Sequence, residues 1–493
     1  MKKLLAITII FIFFGMIIFP STGIQIQNKP IITSSRGNTF YVGGNGSGNY
    51  SKIQDAIDNA NDGDTVFVYD DSSPYYEHVY ISNRLNLIGE NRDTTVIIGT
   101  DWSYSVVYLS FLTTNVLVSG FTMTDSYTDL DGCTGIGIGG SNNIIDGNNI
   151  AFNEKGIVLA EDTYNNEIKN NLIIHNRRVG IIDNCRDSTN KVTWNVIGGN
   201  GRESPLHTEG GIIKHRSGGY FHHNDFDLNW GCNVYTETST WGVWDDGAEG
   251  NFWDDWKFNK GYPDVYIIPA WLEDQVDWHP SPSRYFNHPI VCIKSSYKKN
   301  PGETIYLDAH INVDSSSVTW FWDFGDGNTS DENLIKYSYN KSGIYQINVT
   351  VTNNQGVSDS GKSTAYIGIP PDKPTIKGPT KGQVNRFYNY SIVTNDSDSD
   401  FITYYVDWDD IYDDIIGPVP SGEVVNISHF WRHASNYTIT VKAIDETQRE
   451  SEWAYLTVRI PRNKGIPNSL FLRFLNHFPL LHRLLDIWRS NLL

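Results

Sequence analysis

The sequence predicts an all-β protein: a right-handed parallel β-helix followed by two immunoglobulin-like β-sandwiches. Three observations lead there. An apolar–Asn–apolar–Asn pattern with internal spacing 3, 2, 3 returns at steps of 23, 24 and 29 residues between 145 and 229. After it come two stretches of alternating strands with central tryptophans and tight turns. The 493 residues are also too many for one core, so several units are expected.

Taken in order, the chain opens on Lys2 and Lys3, an apolar run from Leu4 to Phe19, and a small-residue exit at Pro20, Ser21, Thr22 and Gly23. Residues 1–23 read as a signal peptide, because the run falls short of the roughly 20 residues a spanning helix needs. A short retained membrane anchor is the alternative. Next, Ser51 and Gln54 make a capping box before the apolar face Ile53, Ala56, Ile57 and Ala60, and Gly63 closes the helix. Such a helix suits a lid over the open end of a solenoid.

Residues 36–286 are assigned to that solenoid. Its units are Ile145/Asn148/Ile150/Asn153, Ile168/Asn171/Ile173/Asn176, Val192/Asn195/Ile197/Asn200 and Phe221/Asn224/Phe226/Asn229. Units this short hold no core of their own, so each buries its apolar residues against the next. Asn at equivalent turns can stack as an amide ladder. Each unit also has a Gly-Ile strand, at Gly135, Gly156, Gly180 and Gly211. Seven of the fifteen tryptophans then fall between Trp230 and Trp278. They read as a hydrophobic cap or, through Trp241, Trp244, Trp253 and Trp256, as a sugar-stacking platform.

Residues 287–369 read as a β-sandwich, from Trp320 and Trp322, the alternation Ile347/Val349/Val351 and the turn Asn353–Gly356. Pro370, Pro371 and Pro374 mark a linker. Residues 372–461 repeat the pattern around Trp408 and Trp431. In residues 470–493, Phe471, Phe474, Phe478, Leu481 and Leu485 recur at helical spacing beside Arg473, His477, Arg483 and Arg489. This basic amphipathic helix predicts contact with a membrane surface or a protein partner.

Composition narrows the function. A net charge of −19 argues against nucleic acid as a partner. Nine N-x-S/T sequons, seven of them between 328 and 436, join the signal segment in predicting a secreted, cell-surface or envelope-associated glycoprotein. Four cysteines are too few for a disulfide scaffold, and their pairing stays open. Asp396, Asp398 and Asp400 alternate, offering hard oxygen donors that suit calcium, the one cofactor the sequence suggests. A solvated acidic turn is the other reading. The densest polar cluster is His207, Glu209, His215, His222, His223, Asp225 and Asp227. It reads either as a hydrated face or as a metal or acid/base site, with Glu209, Asp225, Asp227 and His215 as the catalytic candidates.

Residues 40–280 resemble the NosD-type β-helix family, related to pectate-lyase-like solenoids. The carriers are YVGGNGSGNYSKIQDAIDNANDGDTVFV from Tyr41, LNLIGEN after it, and GNFWDDW at 250–256 followed by Val265–Pro269 and Asp277–Pro280. The resemblance implies the β-helix; the family itself mixes enzymes and binding proteins. Lyases of this fold need calcium-binding carboxylates and a basic proton abstractor, and hydrolases need spaced aspartates with GHG and R-I-K motifs. Neither motif occurs here. The namesake copper role wants Cys, Met or His clusters, and with three methionines only His207–His223 could serve. Residues 287–369 resemble a PKD (polycystic kidney disease) domain through Trp320–Gly327, Tyr337, Tyr339, Gly343 and Tyr345. Residues 372–461 resemble a second such module, with Asp407-Trp408-Asp409-Asp410 at the equivalent stretch. Together these predict a non-catalytic surface protein whose partner is a surface polysaccharide or an envelope protein. A polysaccharide lyase or glycoside hydrolase, or a copper-handling protein, are the alternatives.

Overall fold

The computed structural model describes residues 37–461 apart from 101–104, 126–132, 187, 203–208, 217, 237–241, 271–273 and 400, with a few isolated residues beyond 472. The predicted signal segment 1–23 and nearly all of the predicted helix 470–493 lie outside the described residues.

Strands of two to six residues stack into three parallel sheets of eight, eight and seven strands. One coil visits the three sheets in turn through Ile144–Asp146, Asn149–Ala151 and Lys155–Leu159, and the next through Glu167–Lys169, Leu172–Ile174 and Val179–Asp183. Equivalent residues pair between coils, as in Ile145↔Ile168 and Ile150↔Ile173. The inward columns are the repeated Ile and Val of the sequence, fully buried at Val118, Ile145 and Ile168. This is the expected β-helix, in which each coil supplies half of its neighbour's core.

The Asn residues of the repeat form the expected ladders. Asn148, Asn171, Asn195, Asn224 and Asn251 climb one corner. From Asn171 on, the Oδ1 of each accepts both the backbone N–H and the side-chain N–H of the Asn one coil earlier, as where Asn195 receives Asn171 at 3.0 Å twice. Asn251 passes its own N–H to Asp277 Oδ2 at 2.9 Å, so an acceptor-only carboxylate ends the ladder. Asn153, Asn176, Asn200 and Asn229 form a second ladder. A third, Asn143–Asn166–Asn190, was not singled out in the sequence although it keeps the same period. Glycine is required beside the second ladder. A Cβ on Gly156 would stand 2.3 Å from the Gly180 carbonyl oxygen and 2.9 Å from Asn176 Nδ2.

The helix Ile53–Asn59 covers the first coil and buries Ile53, Ala56 and Ile57. Its capping differs from expectation. Neither Ser51 nor Gln54 caps it; the carboxylate of Glu77 accepts the N–H groups of Ile53 and Gln54 at 2.9 and 3.0 Å. One carboxylate satisfies two orphan amides and meets the positive end of the helix, which a hydroxyl cannot do as well. At the other end Trp244 and Trp253 form a cap, while Trp230 and Trp278 are exposed. Phe221 stacks on Trp244 at 4.8 Å, Phe226 on Trp253 at 4.4 Å, and Trp253 on Tyr266 at 4.1 Å.

The described chain divides into two compact units. The first holds the β-helix with Leu307–Ile335 and Ile347–Ser363; the second holds Ser296–Tyr306, Lys336–Gln346 and the residues from Thr364 on. In the first unit, Val318–Asp323 pairs antiparallel with residues 348–353, setting Trp320 against Val351 and Trp322 against Val349. In the second, Ser296–Lys299 runs parallel to residues 364–367. The second unit also contains a whole sandwich. Thr375–Lys377, Tyr388–Val393 and Val425–His429 form one sheet, and Asp413–Pro420, Phe401–Asp407, Ser435–Asp445 and Ala454–Ile460 the other. Trp408, Trp431, Tyr390 and Tyr404 fill the space between them.

Candidate functional site

The candidate catalytic carboxylates sit on the outer side of the β-helix, and protein groups occupy them. Asp225 and Asp227 flank inward-facing Phe226 on the strand Asp225–Asp227, and both are buried. Asp225 accepts the N–H groups of Tyr285 and Phe286, each at 2.9 Å. Asp227 takes a forked pair of bonds from Arg284, with Nε 2.8 Å from Oδ2, and one from Asn312 Nδ2 at 3.2 Å. Burial pushes the Asp225 carboxyl up to about 7, against the pull of the two amides. It raises Asp227 as well, with Arg284 opposing. These aspartates therefore clasp the segment that leaves the β-helix, and the structure corrects the expectation of an open acid/base pair. Glu209 is also engaged. Arg178 donates to both of its oxygens and, through Nη1, to Glu154 at 3.0 Å. His215 follows the strand Ile212–Lys214 and gives its backbone N–H to the Asp183 carbonyl. His207 lies outside the described residues.

The segment held by this clasp then covers the second sheet. Ala151, Leu172, Ile174 and Val196 point outward there and pack under Phe286, Ile290 and Cys292. His175 Nε2 lies 2.8 Å from Asp359 Oδ2, which also accepts the Val291 N–H at 2.7 Å. Burial alone would push His175 down, but the Asp359 carboxylate outweighs it and raises the imidazole to about 10. That face is committed to an intramolecular contact.

Of the four candidate sugar-stacking tryptophans, the three that are described form no exposed platform. Trp244 and Trp253 are 1% and 2% exposed, and Trp256 is half-buried with its Nε1–H on the Val265 carbonyl. Their aromatic area went into closing the core, where it gains most. Trp241 lies outside the described residues.

An aromatic group that sequence reasoning passed over stands out instead. Five successive coils leave the first sheet through a left-handed residue, filled by Gly120, Gly147 and Asn170 and then by Trp194 and His223, both with φ of 59°. Left-handed backbone costs a bulky L-residue about 1–2 kcal/mol. Trp194 is nonetheless 41% exposed and stacks on His223 at 4.2 Å, with Tyr285 edge-on at 5.2 Å. His222 and His223 share a hydrogen bond between their Nδ1 atoms at 2.6 Å. Burial, and then His223, push the His222 imidazole below its ordinary value. Glu249 and Asp246 stand 3.7 and 3.9 Å from His223 Nε2. The only sequence signal was a large residue at a repeat position that elsewhere takes Gly or Asn.

The second sandwich carries the other acidic group. Among the described residues, Asp396, Asp398 and Asp445 are the one set of three His, Cys, Asp or Glu whose ligand atoms converge, within 4.8 Å of one another. Asp396 and Asp398 belong to the predicted calcium loop, Asp400 lies outside the described residues, and Asp445 ends a distant strand. Burial, then the neighbouring carboxylates of Asp398 and Asp445, push the Asp396 carboxyl up to about 6, against the pull of the Asp398 N–H. Among the described residues no group of three converges around His215, His222 and His223, the part of the predicted copper set that is described.

Residues 287–369 match the PKD domain family. The pre-pro-metalloprotease PrtV of Vibrio cholerae is 40% identical over 57 residues, which are 12% of this chain and 6% of that protein. Collagenase ColA of Clostridium perfringens is 36% identical over 89 residues, 17% of this chain and 8% of its own. This chain thus spans under a tenth of the length of either relative. Among solved structures, the PKD domain of an M14-like peptidase from a Thermoplasmatales archaeon is 42% identical, covering 19% of this chain and 99% of that one with a TM-score of 0.19. The defined class is a parallel β-helix joined to a PKD domain and a further β-sandwich.

Proposed function

We propose that this chain is a secreted, non-catalytic surface protein that binds carbohydrate through the Trp194 face of its β-helix. The observation that carries the reading is Trp194 itself: a 41% exposed indole held in costly left-handed backbone beside a histidine pair and two acidic side chains. Indole faces take the C–H side of a sugar ring, and imidazole and carboxylate groups take its hydroxyls. The engaged state of Asp225, Asp227 and Glu209 supports binding over hydrolysis or elimination. The signal-like segment, the sequons and the PKD domain support export. In this reading residues 470–493 hold the protein at the envelope, and their deletion releases it into the medium.

The test uses Trp194→Asn, which copies the residue at the preceding coil and suits the backbone. Retention on a panel of immobilised soluble polysaccharides should be lost in the variant while its melting temperature stays within a degree or two of the parent. Equal retention by the two proteins, or release of reducing or unsaturated sugar by the parent, refutes the proposal.

A further inference from the structure

We infer that Asp396, Asp398 and Asp445 bind a calcium ion that fastens the joint between the two sandwich modules. The cluster alone would not establish this, because acidic loops are common. The state of its oxygen atoms does. Asp445 is 3% exposed, and its Oδ1 accepts the Thr447 hydroxyl at 2.9 Å and the Arg449 N–H at 2.8 Å. Its Oδ2 is buried and accepts nothing. Asp396 repeats the arrangement: Oδ1 accepts the Asp398 N–H at 3.0 Å, and Oδ2 is buried without a partner. Buried carboxylate oxygens are almost always met by a donor, so two orphans in one cluster are anomalous.

Asp398 is held by the Ser342 hydroxyl and the Ile369 N–H, both neutral donors. Among the described residues, no Lys, Arg or His side chain lies in ion-pair range of any of the three. Three mutually repelling carboxylates with two unused oxygens are stabilised by one hard divalent cation. Their donors come from a loop and a distant strand end, an irregular set that calcium tolerates and magnesium, which needs near-octahedral geometry, does not.

The position assigns the role. Ser342 and Ile369 both belong to the first module, and Asp398 binds both. The turn that follows Asp445 rests on the first module too: Arg449 Nη2 donates to Asn300 Oδ1, and Lys298 Nζ donates to the Gln448 carbonyl, each at 2.9 Å. An ion bridging Asp398 and Asp445 ties these two attachments together. Without it, repulsion pushes them apart.

Calcium titrated into the full chain, stripped of metal beforehand, should bind at one site that is weakened about tenfold or more by Asp445→Asn and by Asp396→Asn. Hydrogen exchange across residues 367–372 should slow on calcium addition in the parent and in neither variant. Both variants are compared with the parent in chelator, where similar melting shows that they fold. Absence of calcium binding by the parent, or binding unchanged in both folded variants, overturns the site. Binding without slowed exchange overturns the fastening role. Magnesium matching calcium at equal concentration overturns the assignment of the ion. None of these outcomes depends on the Trp194 face.

Discussion

Two acidic clusters, one in each unit, contain the same residue type and have opposite fates. Around Asp225 and Asp227 every carboxylate oxygen meets a donor, and Asp227 has the full charge of Arg284 against it. Around Asp396, Asp398 and Asp445 the donors are neutral, and two buried oxygens meet nothing. Counting carboxylates does not separate a structural clasp from a ligand site. What separates them is whether the fold supplies a donor for each oxygen and a charge for the set.

The comparison can be broken at its strongest point first. Arg284→Ala leaves Asp227 buried and uncompensated and should cost about 3–5 kcal/mol in urea unfolding. A cost under about 1 kcal/mol would mean that the clasp is ornamental. The ladders should be nearly as sensitive. Asn195→Ala removes an acceptor of two N–H groups and a donor to the Ile168 carbonyl, for an expected loss of about 2–3 kcal/mol.

The second cluster should respond with the opposite sign. In chelator, Asp445→Asn removes a buried charge and should be neutral or stabilising by about 1 kcal/mol. In calcium it should be destabilising relative to the parent. Destabilisation of equal size in both conditions would erase the distinction between the clusters.

The smallest effect is a pH slope. Asp225 is raised to about 7, so its contribution is present below the ordinary carboxylate value and fades as pH rises through about 7. His175, raised to about 10 by Asp359, contributes fully below the ordinary histidine value and loses that contribution only as pH rises through about 10. Asp359 is lowered, so its share disappears only in acid. The melting temperature of the first unit should therefore drift down by a few degrees from about pH 4 to about pH 7, and Asp225→Asn should flatten the drift. An unchanged slope in that variant would place the titration elsewhere.

Much of the fold was legible because it repeats. The 3, 2, 3 spacing puts Ile145 over Ile168 and Asn148 over Asn171, and a solenoid gives each coil the same neighbours as the last. The buried faces of Ile53, Ala56 and Ile57 followed from spacing within one helix, and the PKD region followed from a dense local motif. What closed the N-terminus of that helix did not follow. Glu77 is 24 residues from Ile53, and no local pattern links them.

The sites were less legible for the same reason. By itself the sequence determined the solenoid, its Asn ladders, the sandwiches and the presence of two acidic stretches, since each depends on residues near in sequence or one repeat apart. Only the tertiary structure decided that Arg284 neutralises Asp227 across 57 residues and that Asp445 joins Asp396 from the end of another strand. It also decided that Trp244 and Trp253 are consumed by the core while Trp194 remains at the surface. A carboxylate or an indole takes its role from the donors, charges and solvent around it. Chain closure over long separations sets those surroundings, and spacing along the sequence does not.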